Sequence, residues 1–140
     1  MKRKRRMRIL IEGSQELPKK LAHQIEQNYS LEMIMKPQGA LTMIKMRETA
    51  KKTLFYLGEV LVTECKVKVG NQVGIGIVIG MKEDLAYQLA VIDAAFKAEL
   101  SEINEWIPLL EEEEKRMIAA KRLDAAIIQK TKVNFETMDV

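Results

Sequence analysis

The chain has 140 residues, of which 47% are hydrophobic and 31% charged, and carries a formal net charge of +3. A chain of that length makes one domain and buries roughly two-thirds of the surface it exposes when unfolded, so its stability requires neither a disulfide nor a metal. Its single cysteine excludes an internal disulfide and a self-contained thiolate cluster, and no segment approaches the ~20 apolar residues that span a bilayer.

The charge is unevenly placed. Lys2, Arg3, Lys4, Arg5, Arg6 and Arg8 supply six positive charges; without those six the +3 becomes −3, so the body is mildly acidic. The apolar run that follows, Ile9-Leu10-Ile11, is too short for a signal peptide and is stopped by Glu12. A soluble, cytoplasmic, single-domain protein spanning residues 1–140 is the expectation.

Residues 2–12 are predicted to form a basic N-terminal helix or arm ending at Gly13, a residue suited to the left-handed stop of a helix. Ser14 is placed to cap a second helix, in which Leu17, Leu21 and Ile25 recur every four residues. Pro18 fits the first turn of that helix, where its missing N–H costs little, and Asn28 ends it.

The period then shortens to two. Tyr29 to Lys36 alternates as a strand, Pro37-Gln38-Gly39 has turn chemistry, and Leu41 to Met46 reads as a second strand, so a hairpin is expected. Lys51-Lys52 marks the next connection. Thr53 to Val69 is long for one strand, with Gly58 at a bend or bulge; Cys65, Val67 and Val69 share an apolar face opposite Glu64, Lys66 and Lys68.

After Gly70-Asn71 the segment Gln72 to Gly80 sets Val73, Ile75, Ile77 and Ile79 on one face and Gly74, Gly76, Val78 and Gly80 on the other. A glycine-lined face lets a helix or another backbone approach closely. Leu85, Leu89, Ile92, Phe96, Leu100 and Ile103 then trace a helical stripe. Pro108 is expected to interrupt it before a final helix, with Glu111–Glu114 near the positive end of that helix's dipole. The predicted fold is α+β: a four-stranded antiparallel sheet with N-terminal helices and two long C-terminal helices packed on it.

Few residues invite chemistry. The Gly74–Gly80 segment fits neither the dinucleotide fingerprint nor the P-loop, and its β-branched alternation belongs to a strand. His23, the only histidine, faces away from the stripe of its helix and cannot make a histidine-rich metal site. Cys65, among apolar neighbours, reads as a buried small hydrophobe. Asp93, flanked by Ile92 and Ala94, reads as a half-buried carboxylate bonded to backbone or paired with a lysine; no cleft or partner marks it as a general base. No catalytic set, cofactor or metal is expected.

Several of these segments resemble one family in order and spacing. Leu57 to Val67 and Gly74 to Gly80 resemble the sheet of PhnG, the G subunit of carbon–phosphorus lyase; Gly58, Glu64, Gly74, Gly76 and Gly80 fall within these motifs. Leu89 to Ala95, with Asp93, is similar to the family's helix pattern A-[VL]-I-D-A. Thr131 to Met138 resembles its closing motif T-K-V-D-F-F-T-M, with Asn134 and Glu136 in place of an Asp and a Phe. The chain stops soon after Met138, where the family usually continues with Val-Arg-Gly.

The resemblance implies a role in phosphonate catabolism. In that system the G, H, I and L subunits displace adenine from ATP with methylphosphonate, giving ribose 1-methylphosphonate 5-triphosphate, and the J subunit later breaks the carbon–phosphorus bond. It implies a non-catalytic chain that docks chiefly on PhnI, with PhnH, PhnJ and PhnL in the complex; a surface built for a partner can also pair with itself, so a homo-oligomer of the isolated chain is an open expectation. Residues 131–140 are the expected docking segment, with Thr131, Lys132, Val133, Phe135, Thr137 and Met138 as candidate contacts. Two alternatives stand beside it: a nucleic-acid-binding module using the basic arm, and an enzyme using Asp93 and Glu64.

Overall fold

Alternating aliphatic and charged residues, followed by alternating isoleucine and glycine, build a three-strand meander rather than four strands. The computed structural model describes the backbone of residues 1–47 and 54–138 and the side chains of residues 1–43 and 58–125. Strands β1 (Leu31–Arg47), β2 (Leu54–Val69) and β3 (Gln72–Ile79) form one antiparallel sheet in the order β1-β2-β3. Helices α1 (Arg3–Glu12) and α2 (Glu16–Asn28) precede the sheet, and α3 (Glu83–Lys97) and α4 (Ile103–Met138) follow it.

The missing fourth strand has a physical cause. Pro37-Gln38-Gly39 does not turn the chain; β1 runs straight through it, and register shifts between Met33 and Met35 and between Met35 and Gln38 absorb the irregularity. Because β1 lies at the sheet edge, Pro37 has no ladder bond to withhold, and a bulge accommodates it. The Lys51-Lys52 connection lies outside the described residues. A further register shift, between Ile44 and Lys45, falls opposite Gly58, whose φ of +143° few side-chain-bearing residues adopt.

The glycine face of β3 does admit a helix. A Cβ on Gly74 would collide with the backbone of Ala90 and Ala94, and one on Gly76 with that of Ala86 and Ala90. Helix α3 therefore lies almost directly on the strand through its small residues. Cys65, Val67 and Val69 of β2 share this face, and Leu21, Ile25, Leu89 and Ile92 complete the core from the helical layer. Ile75, Ile77 and Ile79 point to the opposite, uncovered face.

The helix boundaries differ from expectation at three places. Gly13 ends α1 with φ −81°, so it is not a left-handed stop; a Cβ there would instead meet the Ile9 carbonyl oxygen at 2.6 Å and the Glu113 Cγ at 2.9 Å. The Ser14 hydroxyl accepts the Glu16 N–H at 3.4 Å, one residue outside the expected cap position, and α2 begins at Glu16 without a side-chain cap. Pro108 lies inside α4, not before it. It leaves unmade only the bond to the exposed Asn104 in the first turn, and the real break falls where Glu99 takes φ +53°. Glu111–Glu114 are consequently in mid-helix, away from the dipole end.

Two features extend beyond the core. Strand β3 pairs only with Val62–Val69, so β1 and β2 continue past it as a two-stranded ribbon. Helix α4 has 36 residues, about 54 Å at 1.5 Å per residue. Trp106 and Leu110 anchor its start in the core, whereas every residue from Ile118 to Ala125 is exposed.

Candidate functional site

A polar cluster forms around Asp93, and it takes up two residues of the basic N-terminus, Arg3 and Arg6. Arg6 stands three and four residues before Ile9 and Leu10, so the helical period turns it into the core with them. Its Nη2 donates to Asp93 Oδ1 at 2.9 Å, and its guanidinium lies over the Phe96 ring, 4.0 Å from the centroid. Arg3 Nε donates to the same oxygen at 3.2 Å. Asp93 Oδ2 accepts the Ile75 N–H at 2.9 Å and faces Lys97 Nζ at 3.3 Å.

Asp93 is thus fully buried with three cations and one backbone donor around it. Burial pushes its carboxyl pKa up, but the Ile75 N–H and the charges of Arg3 and Lys97 outweigh burial and hold it below the ordinary value. For Arg6 the balance reverses: burial, together with the like charge of Arg3, lowers its pKa more than Asp93 raises it. A carboxylate with both oxygens engaged, no access to solvent and a depressed pKa is an anchor and not a general base.

The cluster also seals a sheet edge. Besides the Ile75 N–H held by Asp93, the Ile75 carbonyl accepts Arg3 Nη2 at 3.3 Å and the Val73 carbonyl accepts Lys97 Nζ at 3.0 Å. The first half of β3 is therefore closed to strand addition by side chains.

The remaining candidates are scattered. Glu64 sits opposite Ile77 on the uncovered sheet face, whereas Asp93 belongs to the helix covering the glycine face, so the structure does not bring these two carboxylates together. Cys65 is buried against α3, and burial pushes its thiol pKa up; Lys66 and Lys68 project from the other face. His23 is exposed beside Glu26. Gly80 takes φ +92° at the turn into α3. Thr131, Lys132, Val133, Phe135, Thr137 and Met138 fall in the last turns of α4, where only the backbone is described.

A surface cavity of about 630 Å³ lies between the starts of α2 and α3. Glu16, Glu83 and Asp84 line it with Lys19 and Lys82, but it contains no histidine, cysteine or hydroxyl nucleophile. Among the described residues no group of His, Cys, Asp and Glu is arranged to hold a metal, and no helix is long and apolar enough to cross a membrane.

Sequence reasoning did not anticipate Arg6, Glu113 or Trp106 as structural residues. The six basic residues at the terminus resemble a solvated arm when read as composition. Only the Arg6–Ile9–Leu10 spacing marks one of them as inward-facing. Glu113, buried in mid-helix, accepts the Ser14 N–H at 2.9 Å and so ties the α1–α2 corner to α4.

A sheet packed on a small-residue helix through paired glycines, with Asp93 clamping that helix to the strand edge, is the arrangement into which the resembling segments fall. The family model described as phosphonate metabolism protein PhnG matches residues 1–139. The chain belongs to the PhnG family. None of the curated proteins matches it. The match begins at residue 1, so the basic helix α1 and its pairing with Asp93 lie inside the family span. Membership in the PhnG family places the chain in phosphonate metabolism.

Proposed function

We propose that this PhnG-family chain is a non-catalytic subunit of the carbon–phosphorus lyase core complex, working in the cytoplasm. It supports the formation of ribose 1-methylphosphonate 5-triphosphate from ATP and methylphosphonate, and docks chiefly on PhnI, with PhnH, PhnJ and PhnL in the assembly. The observation that carries this reading is the β1–β2 ribbon beyond β3. Leu41 is 67% exposed there, and Met43 and Leu61 are exposed beside it. An isolated two-stranded ribbon is marginally stable in water, and contiguous exposed apolar side chains mark a surface made for a partner.

Two further features agree. The buried carboxylate Asp93, with both oxygens engaged, is consumed in holding the fold together. Helix α4 is exposed from Ile118 to Ala125, tied to α1 there by the Lys121–Glu12 pair, and carries Phe135 and Met138 near its end. Burying a side chain such as Phe135 is worth ~1.5–3 kcal/mol, enough to matter at an interface. The nucleic-acid reading has less behind it: Arg3, Arg5, Arg6 and Arg8 are each paired with a carboxylate of the chain, which leaves Lys2 and Lys4 of the basic run without such a partner among the described residues.

The test is co-purification of the tagged chain with co-expressed H, I and J subunits of the phosphonate system. Stoichiometric recovery, reduced by Phe135→Ala or Met138→Ala without loss of thermal stability, is expected. Recovery of the folded chain alone would overturn the reading.

A further inference from the structure

Helices α1 and α4 leave an open groove between them, with a volume of about 360 Å³. Its floor is apolar: Ile9 is buried, Met117 is half-buried and Ile118 is 44% exposed. Its rim is basic. Lys2, Lys4, Arg5, Arg8 and Lys121 line it beside two carboxylates, Glu114 in the lining and Glu12 bonded to Arg8 and Lys121, a surplus of three positive charges.

The pairing within that rim is uneven. Arg5 is held by Glu114 through two bonds of 2.7 and 2.9 Å, and Arg8 and Lys121 share Glu12, each at 3.3 Å. Lys2 and Lys4 have no carboxylate partner among the described residues. The chain therefore supplies the groove with more positive charge than it neutralises. A simple phosphate ligand calls for a polar floor of converging donors, whereas three aliphatic or thioether side chains call for an apolar stripe.

We infer that this groove is a docking site for an acidic amphipathic helix of a partner protein. The helix would lay its apolar stripe on Ile9, Met117 and Ile118 and turn its carboxylates toward Lys2, Lys4 and Lys121. The occupant follows from charge complementarity over an apolar floor, the combination by which a groove between helices accepts a third helix. This inference rests on the subunit reading and adds the chemistry of one partner element to it.

The test uses the full chain and a labelled peptide of about 18 residues, long enough to be helical when bound, with leucines at i, i+3, i+4 and i+7 and glutamates elsewhere. Binding is read by fluorescence anisotropy. The acidic amphipathic peptide binds; the same composition scrambled to destroy the stripe, and the stripe with lysine in place of glutamate, bind at least about tenfold more weakly, as loss of a central anchor or of charge complementarity requires.

Ile118→Asp, on an exposed floor position, and the double variant Lys2→Glu/Lys4→Glu, on unpaired rim residues, each weaken binding by about tenfold or more while leaving the circular-dichroism melt in place. No binding by the amphipathic peptide overturns the inference. So does equal binding by the scrambled peptide or by a single-stranded oligonucleotide, which reduces the groove to a patch of charge. A dimer in sedimentation that Ile118→Asp dissolves assigns the groove to a second copy and also overturns it. The titration contains no phosphonate-system protein, so it can fail while co-purification succeeds, and the reverse.

Discussion

Replacing Gly76 by Ala tests the close approach of α3 to β3. A methyl group at this position meets the Ala86 carbonyl oxygen well inside van der Waals contact and the Ala90 backbone nitrogen at 2.7 Å. Both belong to helical backbone, so no side-chain rotation relieves the clash, and α3 must move away from the sheet. Overpacking in a core costs ~1–3 kcal/mol, and a backbone obstacle belongs at the upper end of that range. Against it, the unfolded chain loses some freedom when Gly becomes Ala, which returns only ~0.4–1 kcal/mol.

The net expectation for Gly76→Ala is a loss of about 2 kcal/mol, or roughly 4–10 °C in Tm for a domain of this size. Thermal and urea unfolding followed by circular dichroism measure it. Ile77→Ala, one residue along and on the uncovered face, should shift Tm far less, since Ile77 is 46% exposed. Gly74→Ala should behave like Gly76→Ala, and trimming the facing residue by Ala94→Gly should not rescue it, because Ala90 and Ala94 backbone atoms are the obstacle. An unchanged or raised Tm for Gly76→Ala, or rescue by Ala94→Gly, would refute the packing argument.

Other predictions follow from the charged cluster and the thiol. Asp93→Asn leaves the buried Arg6 without a counter-charge and should cost ~3–5 kcal/mol, read from urea unfolding at neutral pH. The folded Asp93 carboxyl titrates below its unfolded value of ~3.9, so its contribution is present above that pH and is lost as pH falls through the folded pKa. The wild type should therefore lose more stability than Asp93→Asn on going from about pH 5 to pH 3, and equal losses would contradict the assignment. Cys65, buried and with its thiol pKa raised, should resist an aromatic disulfide reagent in native buffer and react once denaturant is added; rapid native labelling would show that the α3–sheet contact opens.

The parts of the fold that were legible in the sequence are those in which one periodicity dominates. The isoleucine–glycine alternation of β3 announced both its strand character and the face on which a helix would lie. The 3.6-residue stripe of α3 did the same for its partner surface. Gly58 was readable as an irregularity because a glycine inside an otherwise bulky strand has few other uses.

What misled was local punctuation overruled by tertiary context. Pro37-Gln38-Gly39 has the composition of a turn, yet a long edge strand paired with β2 absorbs it as a bulge. Pro108 resembles a helix stop, but it lies early enough in α4 for the lost bond to fall on an exposed carbonyl. Gly13 resembles a left-handed cap, yet its φ is −81°, and a Cβ there would meet the Ile9 carbonyl oxygen at 2.6 Å and the distant Glu113 side chain at 2.9 Å.

The candidate site shows the same division. Asp93 was legible as a half-buried carboxylate with a backbone or lysine partner; it has both, and it is fully buried. Its main partners, Arg3 and Arg6, lie some ninety residues earlier, and no local pattern connects them to it. The groove between α1 and α4 was equally invisible, since its cations and its floor come from opposite ends of the chain. The terminal motif from Thr131 to Met138 is recognised by its residues, and its helical backbone makes it an extension of α4, not a separate tail.

The most direct test of the central claim is a drop-out reaction. ATP and methylphosphonate are incubated with purified H, I and L subunits, with and without this chain, and ribose 1-methylphosphonate 5-triphosphate is followed by phosphorus NMR. The account predicts no turnover by the chain alone, product from the complete set, and loss of that product when the chain is omitted, with Asp93→Asn acting only as far as it unfolds the protein. Product formed equally well without the chain, or turnover by the isolated chain, would contradict it.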